Sequence, residues 1–247
     1  MENKPLPKDT WKWPQSKLDA VNPQPLKAYL CAPSGLGKTT LVVNLLRGPL
    51  KGLYTRVIIV SHTIFVDPSW RPVLQMLRQN MENHGLDPDD EDEKWLYDHW
   101  DAAALQRSVD LQYLRIKRLR DEGETTGPMS LYILDDMLDS GALRSSKLLQ
   151  GLSARGRHTG TGFLMTSQVW KGAHPIIRKN IDFLAVFHNL PDQIEAIARE
   201  VPVSREKFMA LFASAVKERG DFLWIALKKP LQDMFYASLQ KKLTLVE

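Results

Sequence analysis

Short apolar runs bounded by polar or glycine-rich segments recur along the chain. Five of them, at 26–32, 55–62, 129–138, 161–168 and 181–190, have the length and composition of buried β-strands. Some of the segments between them show helical spacing of apolar positions, beginning directly after the first run. Buried strands separated by helical segments are typical of a mainly parallel sheet flanked by helices, so the pattern predicts an α/β fold.

One connection is much longer than a crossover helix requires. Residues 63–128 separate the second and third predicted strands, and we expect a helical insertion there. Residues 82–93 contain seven carboxylates and no Lys or Arg. That composition predicts a solvated loop rather than a metal site, because the acids are not combined with the glycine and terminal glutamate of a calcium loop at the required spacing. A long helical stretch is predicted at 94–121.

The two ends of the chain add further features. Residues 1–23 are rich in Pro, Lys and Trp, and they predict an N-terminal arm that lies over a domain formed by residues 24–247. Near the other end, two apolar runs within 220–239 are separated by a Lys-Lys-Pro segment. These runs predict a closing hairpin or a pair of edge strands.

Composition narrows the class of protein. A chain of 247 residues with 43 % hydrophobic residues can bury a full core. Its formal net charge of +4 tolerates an anionic partner without requiring one. The single cysteine, Cys31, cannot form an internal disulfide and predicts a reducing compartment. No apolar run reaches membrane-spanning length, so we expect a soluble, intracellular protein without a membrane partner.

A phosphate-binding (Walker A) loop follows the first predicted strand. The stretch APSGLGKT has alanine in the first glycine position of the usual pattern. Alanine is tolerated there, because the strand exit mainly needs a small side chain, whereas Gly35 and Gly37 keep the positions where the backbone approaches phosphate. The candidate ATP-binding residues are Ala32, Pro33, Ser34, Gly35, Leu36, Gly37, Lys38, Thr39 and Thr40.

Two carboxylates end the third predicted strand, as in a Walker B element. We expect Lys38 to reach the β- and γ-phosphates, and Thr39 and Asp135 to hold Mg²⁺. Asp136 is the candidate that polarises the attacking water. It is one methylene shorter than the glutamate that is common at this place. The alternative is that Asp136 only begins the loop after the strand.

The fourth predicted strand ends in three polar residues, Thr166, Ser167 and Gln168. ATPases with an added catalytic carboxylate carry an extra strand between the Walker A and Walker B strands, and the strand after Walker B presents a polar sensor of the γ-phosphate. We select Gln168, because an amide donates to phosphate and accepts from water at once. A capping or turn role for Ser167 or Gln168 is the alternative. The motifs together predict a P-loop NTPase of this additional-strand (ASCE) type.

Four features of the chain resemble the viral genome-packaging ATPases of the FtsK–HerA superfamily, found in large DNA viruses and virophages. They are the phosphate loop, the paired aspartates, an Arg157-His158 pair and Gln168. The resemblance covers roughly residues 26–190. It implies a parallel-sheet ATPase core, assembled as a pentameric or hexameric ring, that uses ATP and Mg²⁺ to pump double-stranded DNA into a capsid. The implied locations are the host cytoplasm, a viral factory or the virion.

A long segment of the chain carries charge of one sign. Residues 140–181 contain no Asp or Glu. Their cationic residues are Arg144, Lys147, Arg155, Arg157, Lys171, Arg178 and Lys179. ATP at a subunit boundary and the DNA backbone both explain such a block, and a basic solvated face without a partner is the alternative. We expect DNA contacts from Lys147, Lys171, Arg178 and Lys179.

Arg157 is the candidate for action in trans. The stretch SARGRHTG holds Gly156 and Gly160, which predict an exposed loop at the opposite end of the sensor strand from Gln168. From there Arg157 would reach the γ-phosphate of a neighbouring subunit. A DNA contact or a salt bridge that orders the loop are the alternatives.

Other functions of the same fold stay open. A cellular or plasmid-type DNA pump, including a conjugation ATPase, would use the same site. From a different class, a nucleotide-dependent switch or a small-molecule kinase would share the phosphate loop. Paired aspartates with a strand-end glutamine fit water activation better than transfer to a small acceptor.

Overall fold

Nine β-strands form one sheet in the computed structural model, which describes residues 11–137 and 146–244. The strands are β1 (Lys27–Cys31), β2 (Arg56–Ser61), β3 (Leu96–Tyr97), β4 (Ser130–Asp135), β5 (Thr161–Ser167), β6 (Phe183–Phe187), β7 (Phe222–Ala226), β8 (Phe235–Ala237) and β9 (Lys241–Lys242). The helices in the described residues are α1 (Lys38–Arg47), α2 (Arg71–Asn83), α3 (Ala102–Asp121), α4 (Lys147–Thr159), α5 (Pro175–Asn180), α6 (Pro191–Ala198) and α7 (Arg205–Ala215).

The order of the strands confirms the predicted fold class. Across the sheet they run β3-β2-β4-β5-β1-β6-β7-β8-β9. The pairs from β3 to β6 are parallel and those from β6 to β9 are antiparallel. β5 lies between β1, which enters the phosphate loop, and β4, which ends in the paired aspartates. This is the additional strand of an ASCE-type P-loop fold.

Apolar side chains bury both faces of the sheet, as a parallel sheet with crossover helices requires. One face packs against α1 and α2 through residues such as Val42 and Val73. The other face packs against α4 to α7, with Leu149 and Phe208 fully buried. All five residues of β1 and all seven of β5 are buried. The two strands that position the site are therefore held on both faces.

The helix predicted at 94–121 is wrong in its first part. Leu96 and Tyr97 form β3 and pair with Ile59 and Val60 of β2. The helix starts only at Ala102, because the Asp101 carboxylate accepts the amides of the first helical turn and fixes the N-terminus there. The segment between β2 and β4 thus adds an edge strand to the sheet as well as helices.

The acidic run is also more ordered than the predicted solvated loop. Residues Glu91–Glu93 form a short 3-10 helix. The Glu93 side chain, 15 % exposed, binds both the buried Arg56 and Arg115. A buried guanidinium needs a partner, so Glu93 serves the core while the other acids stay exposed. Arg115 is therefore paired with Glu93, at 2.9 Å between Nη2 and Oε1.

The described part of the arm packs against the amino end of the sheet. The Trp13 indole N–H donates to the Arg157 carbonyl at 2.7 Å, and the Lys12 amide donates to the Thr125 carbonyl at 2.8 Å. Residues 1–10 of the predicted arm and Arg144 of the basic block lie outside the described residues. In the part of the chain that is described, no helix is both long and apolar enough to traverse a bilayer.

Candidate nucleotide site

The phosphate loop turns sharply between β1 and α1. Gly35 and Gly37 have φ of +74° and +93°, in the region that favours glycine, as the sequence predicted for these positions. The Ala32 amide donates to the Ser167 carbonyl at 3.0 Å, which continues the β1–β5 ladder to the start of the loop. α1 begins at Lys38 directly behind the second glycine, so its N-terminus faces the loop.

Lys38 is folded back onto its own loop. Its ammonium donates to the carbonyl oxygens of Ala32 at 2.8 Å and Pro33 at 3.2 Å. It also lies 3.4 Å from Asp136 Oδ2. The side chain is only 6 % exposed, so these oxygens replace the water that a charged amine would otherwise bind. Phosphate oxygens would have to take over these contacts.

Three hydroxyl groups, two from strands and one from a helix, converge on Asp135. Thr166 Oγ1 donates to Asp135 Oδ1 at 2.8 Å, and Ser61 Oγ donates to Oδ2 at 3.3 Å. Thr39 Oγ1 approaches Oδ2 at 3.4 Å. Burial raises the pKa of Asp135, and the hydrogen bond from Thr166 acts against that rise. The carboxylate is thus held at one place by donors on both oxygens.

This donor set fits Mg²⁺. Thr39 and Asp135 offer hard oxygen atoms side by side, and Mg²⁺ in phosphate sites is bound by one or two protein oxygens together with phosphates and water. Among the described residues no group of three or more His, Cys, Asp or Glu could hold a metal on its own. Such a cluster is not needed for a cation that enters with the nucleotide.

Asp136 stands at the mouth of the site. Its backbone has φ of +52°, and its amide donates to Thr166 Oγ1 at 2.9 Å. Gln168 Nε2 donates to Asp136 Oδ2 at 3.3 Å. The Asp136 side chain is 39 % exposed. Thr166 therefore orients both aspartates, while Gln168 and Lys38 both contact Oδ2 of Asp136.

An open cavity of about 760 Å³ joins these groups at the carboxyl end of the parallel strands. The predicted residues that line it are Ser34, Gly35, Gly37, Lys38, Thr39, Thr40, Asp135, Asp136 and Gln168. Ala32 and Pro33 contribute backbone carbonyls to Lys38 instead. Leu36 packs partly buried against the core.

Further residues that sequence reasoning did not select line the same cavity. They lie at and after the end of β2 and are Ser61, His62, Thr63, Asp67 and Ser69. A sequence signal existed, since the second apolar strand ends in polar residues at the edge where the phosphate loop begins. Thr166 was one of three strand-end candidates, and the structure gives it the orienting contacts to both aspartates.

Arg157 lies outside this cavity, in the last turn of α4 and not in the predicted loop. Ser146 caps the start of α4 and Gly160 ends it in the left-handed conformation. Gly156 is inside the helix because α4 lies directly on β5, and a Cβ there would be 2.2 Å from the Thr161 carbonyl oxygen. The exposed Arg157 side chain sits at the amino end of the sheet, opposite Gln168.

The candidate DNA-binding cations have different surroundings. Lys147, Lys171 and Lys179 are exposed. Arg178 is 11 % exposed, donates to both carboxylate oxygens of Glu200 at 3.1 Å, and lies over the Trp170 ring. Its guanidinium ties α5 to the segment after α6. Three lysines therefore remain as surface cations that could meet a polyanion.

The strand order and the site together define an ASCE-type P-loop NTPase. No protein-family model matches the chain, and no curated protein matches it in sequence. Among solved structures it is similar to the genome packaging NTPase B204 of Sulfolobus turreted icosahedral virus 2, solved in complex with sulfate. That likeness has a TM-score of 0.55 and 16 % identity, and covers 84 % of this chain and 93 % of that one.

Two other solved structures share the fold over most of this chain. The conjugation coupling protein TcpA of pCW3, with ATPγS, has a TM-score of 0.54 and 13 % identity, covering 82 % of this chain and 57 % of its own. EssC of Geobacillus thermodenitrificans, ATPases 2 and 3, has a TM-score of 0.50 and 17 % identity. The likeness covers 85 % of this chain and 38 % of the EssC chain. These likenesses confirm the fold resemblance that the motifs predicted.

Proposed function

We propose that this chain is an ATP-hydrolysing motor that translocates double-stranded DNA, and that it drives genome packaging into a viral capsid. The observation that carries the proposal is the pair Asp135-Asp136, oriented by Thr166 and facing Lys38 and Gln168. A site with one carboxylate beside the Thr39 hydroxyl and a second, half-exposed carboxylate beside the Lys38 ammonium is suited to hydrolysis rather than to binding alone.

ATP binding begins with the phosphates entering the loop. Its backbone N–H groups and the α1 N-terminus attract the anion, and the Lys38 ammonium exchanges the Ala32 and Pro33 carbonyls for phosphate oxygens. Asp136, released from Lys38, then accepts a proton from the water that attacks the γ-phosphate. Gln168 lies within hydrogen-bond reach of Asp136 and holds that water between its amide and the carboxylate.

Thr39 and Asp135 would hold Mg²⁺ in this proposal. The cation neutralises charge that develops on the phosphate oxygens during transfer. Ser61 and Thr166 keep the Asp135 carboxylate in place for it.

A ring of copies would complete the site. Phe65 and Val66 are 67 % and 76 % exposed and lie in the sequence between the cavity-lining residues Thr63 and Asp67, and Leu190, which follows β6, is 64 % exposed. Exposed apolar groups of this size favour a protein contact. We propose a pentamer or hexamer in which the neighbour covers this edge and presents Arg157 to the γ-phosphate.

DNA would be gripped through its backbone. Lys147, Lys171 and Lys179 belong to the segment without acidic residues, and phosphate contacts by lysine carry no sequence information. Arg178 is not part of this proposed surface, because Glu200 already binds it. A pump that moves along any sequence needs contacts of this kind.

Packaging, rather than another kind of DNA transport, is supported by the likeness to B204, which covers 84 % of this chain and 93 % of that one. A capsid protein would then be a partner, and the host cytoplasm, a viral factory or the virion would be the place of action. The similarity to TcpA favours a second candidate, a conjugation-type DNA pump with the same chemistry.

The test is ATP turnover by the purified chain with and without linear duplex DNA, together with displacement of a third strand from a duplex. We expect duplex DNA to stimulate hydrolysis and the third strand to be released only when ATP is hydrolysed. Protection of DNA from nuclease by empty capsids distinguishes packaging from conjugation-type transport. A rate of ATP hydrolysis that duplex DNA does not change, together with no release of the third strand, would reject the motor function. A nucleotide switch or a kinase would then be left.

A further inference from the structure

A second arginine reaches the phosphate loop from its own chain. Arg219 Nη2 donates to the carbonyl oxygen of Gly35 at 3.0 Å, across 184 positions of sequence. The same nitrogen would lie 3.5 Å from a Cβ at Gly35. Arg219 is not among the described residues that line the phosphate cavity, so it contacts the loop from the outside.

The antiparallel part of the sheet brings Arg219 there. Phe222, the first residue of β7, pairs with Phe187, the last residue of β6. The turn before an antiparallel strand therefore arrives at the same edge as the carboxyl ends of the parallel strands. Residues 217–221 form that turn, directly beside the phosphate loop.

The turn is built to present this side chain. The Asp221 carboxylate accepts the amides of Lys217 at 3.1 Å and Glu218 at 2.9 Å. Gly220 has φ of +95° with open space around it, so the glycine serves the backbone conformation rather than packing. Arg219 lies between Glu218, whose amide is held by Asp221, and Gly220, so its backbone is positioned from both sides.

The orientation of the Gly35 carbonyl determines where the next N–H group of the loop points. A peptide unit is planar and trans, so the Gly35 C=O and the Leu36 N–H point in opposite directions. An anion-binding loop turns its N–H groups inward. A guanidinium that holds the Gly35 carbonyl outward therefore keeps the Leu36 N–H directed at the phosphates. Rotation of this peptide changes ψ of Gly35 and φ of Leu36, and glycine, which has no Cβ, restricts its own part of that rotation little.

The bond is separate from the contacts that Lys38 makes in the loop. Lys38 donates to the Ala32 and Pro33 carbonyls, whereas Arg219 donates to the Gly35 carbonyl, so the proposed movement of Lys38 to the nucleotide does not require the Arg219 bond to break. We propose that Arg219 is a positioning residue for ATP binding, which fixes the Gly35–Leu36 peptide in its phosphate-binding orientation. The inference rests on the proposed ATP site and adds the β7 turn to it.

Binding of ATP, ADP and tripolyphosphate to the Arg219→Ala variant tests the inference. Because the peptide acts on phosphates, we expect all three affinities to weaken by a similar factor of about ten, as for removal of a hydrogen bond to a charged group. The kcat at saturating ATP should change much less than KM. Arg219→Lys should recover part of the affinity, since it keeps one donor. Lys217→Ala, an exposed charge on the same turn, should bind like the wild type.

Two results would overturn the inference. One is wild-type affinity for ATP and tripolyphosphate in Arg219→Ala, at an unchanged melting temperature. The other is a loss for ATP alone, which would make Arg219 a contact of the base or ribose. Neither result touches the proposed ATPase. Failure of the wild-type chain to bind ATP would instead reject the proposed function itself.

Discussion

The Lys38 ammonium lies 3.4 Å from Asp136 Oδ2, so the cation expected to bind phosphate and the carboxylate expected to activate water face each other before the nucleotide enters. Each partly neutralises the other in a site where Lys38 is buried. Phosphate oxygens compete with Asp136 for the same ammonium. Under the proposed function, we therefore expect entry of ATP to free the Asp136 carboxylate at the step that needs a base.

Two substitutions should separate binding from hydrolysis. Lys38→Ala is expected to abolish productive ATP binding, because the phosphates lose their mobile cation. Asp136→Asn should keep ATP binding and stall hydrolysis, since the amide cannot accept the proton. Asparagine also tolerates the positive φ of this position, so the fold should be kept. Titration with a fluorescent ATP analogue and phosphate release measure the two effects. Hydrolysis by Asp136→Asn at the wild-type rate would contradict the base assignment.

Ala32→Gly should leave ATP turnover nearly unchanged but should lower the stability of the fold. The Ala32 methyl is fully buried in the core beneath the loop. Removing it costs one buried methyl group and adds backbone freedom to the unfolded chain, together about 1.5 kcal/mol. Thermal melting should report this loss beside unchanged kcat and KM. A large loss of turnover would mean that the loop is adjusted to the methyl group.

Charge reversal of Lys171 should weaken DNA binding equally for unrelated sequences. The slope of log affinity against log salt should flatten by about one unit for each DNA phosphate that the variant no longer neutralises. Lys147→Glu should act in the same direction. Lys51→Glu, an exposed charge after α1 and outside the basic block, is the matched control and should bind like the wild type. Weakening confined to one DNA sequence would argue for base readout and against a pump.

Arg157 should act on a neighbour's nucleotide. Arg157→Ala subunits with an intact site, mixed with Lys38→Ala subunits that keep their arginine, should regain ATPase activity at mixed interfaces. An arginine finger contributes about 10³–10⁵ in rate in related phosphoryl transfer, so recovery should be plain. Subunits that carry both substitutions should give none. If co-assembled mixtures show no recovery at any ratio, Arg155 becomes the next candidate.

Cys31 should resist alkylation in the folded chain. Burial raises the pKa of the thiol to about 12, so at about pH 8 only about one thiol in ten thousand is the reactive thiolate. Iodoacetamide should label the denatured chain quickly and the native chain hardly at all. Because the folded pKa lies above its ordinary value of 9.0, this group stabilises the fold below about pH 9 and loses that contribution as the pH rises towards 12. Rapid native labelling would show that β1 opens beneath the loop.

The parts of the site that depend on local sequence could be predicted. The phosphate loop and the paired aspartates are short segments at strand ends, where residue type and spacing determine the conformation. The extra strand between the Walker A and Walker B strands followed from the same motifs. Gly35 and Gly37 take the backbone conformation for which glycine was expected.

Contacts between distant segments could not be predicted in this way. Arg219 reaches Gly35 only because β7 joins the sheet antiparallel, a choice that no local pattern reveals. Gly156 resembled a loop residue because glycine is a poor helix former, yet close packing on β5 requires it inside α4. Likewise, the role of Glu93 depends on Arg56, which is 37 positions away in the sequence.

The missing side chain of Gly156 has a mechanical consequence. Because the Thr161 carbonyl oxygen excludes a Cβ at Gly156, the backbone near the end of α4 directly contacts the backbone of the first residue of β5. We therefore expect the end of the helix and the start of the strand to move together. β5 starts four residues after Arg157 and ends directly before Gln168, and its seven extended residues span about 23 Å. Under the proposed function, we expect a change of nucleotide at Gln168 to reach the Arg157 end of the subunit through this strand.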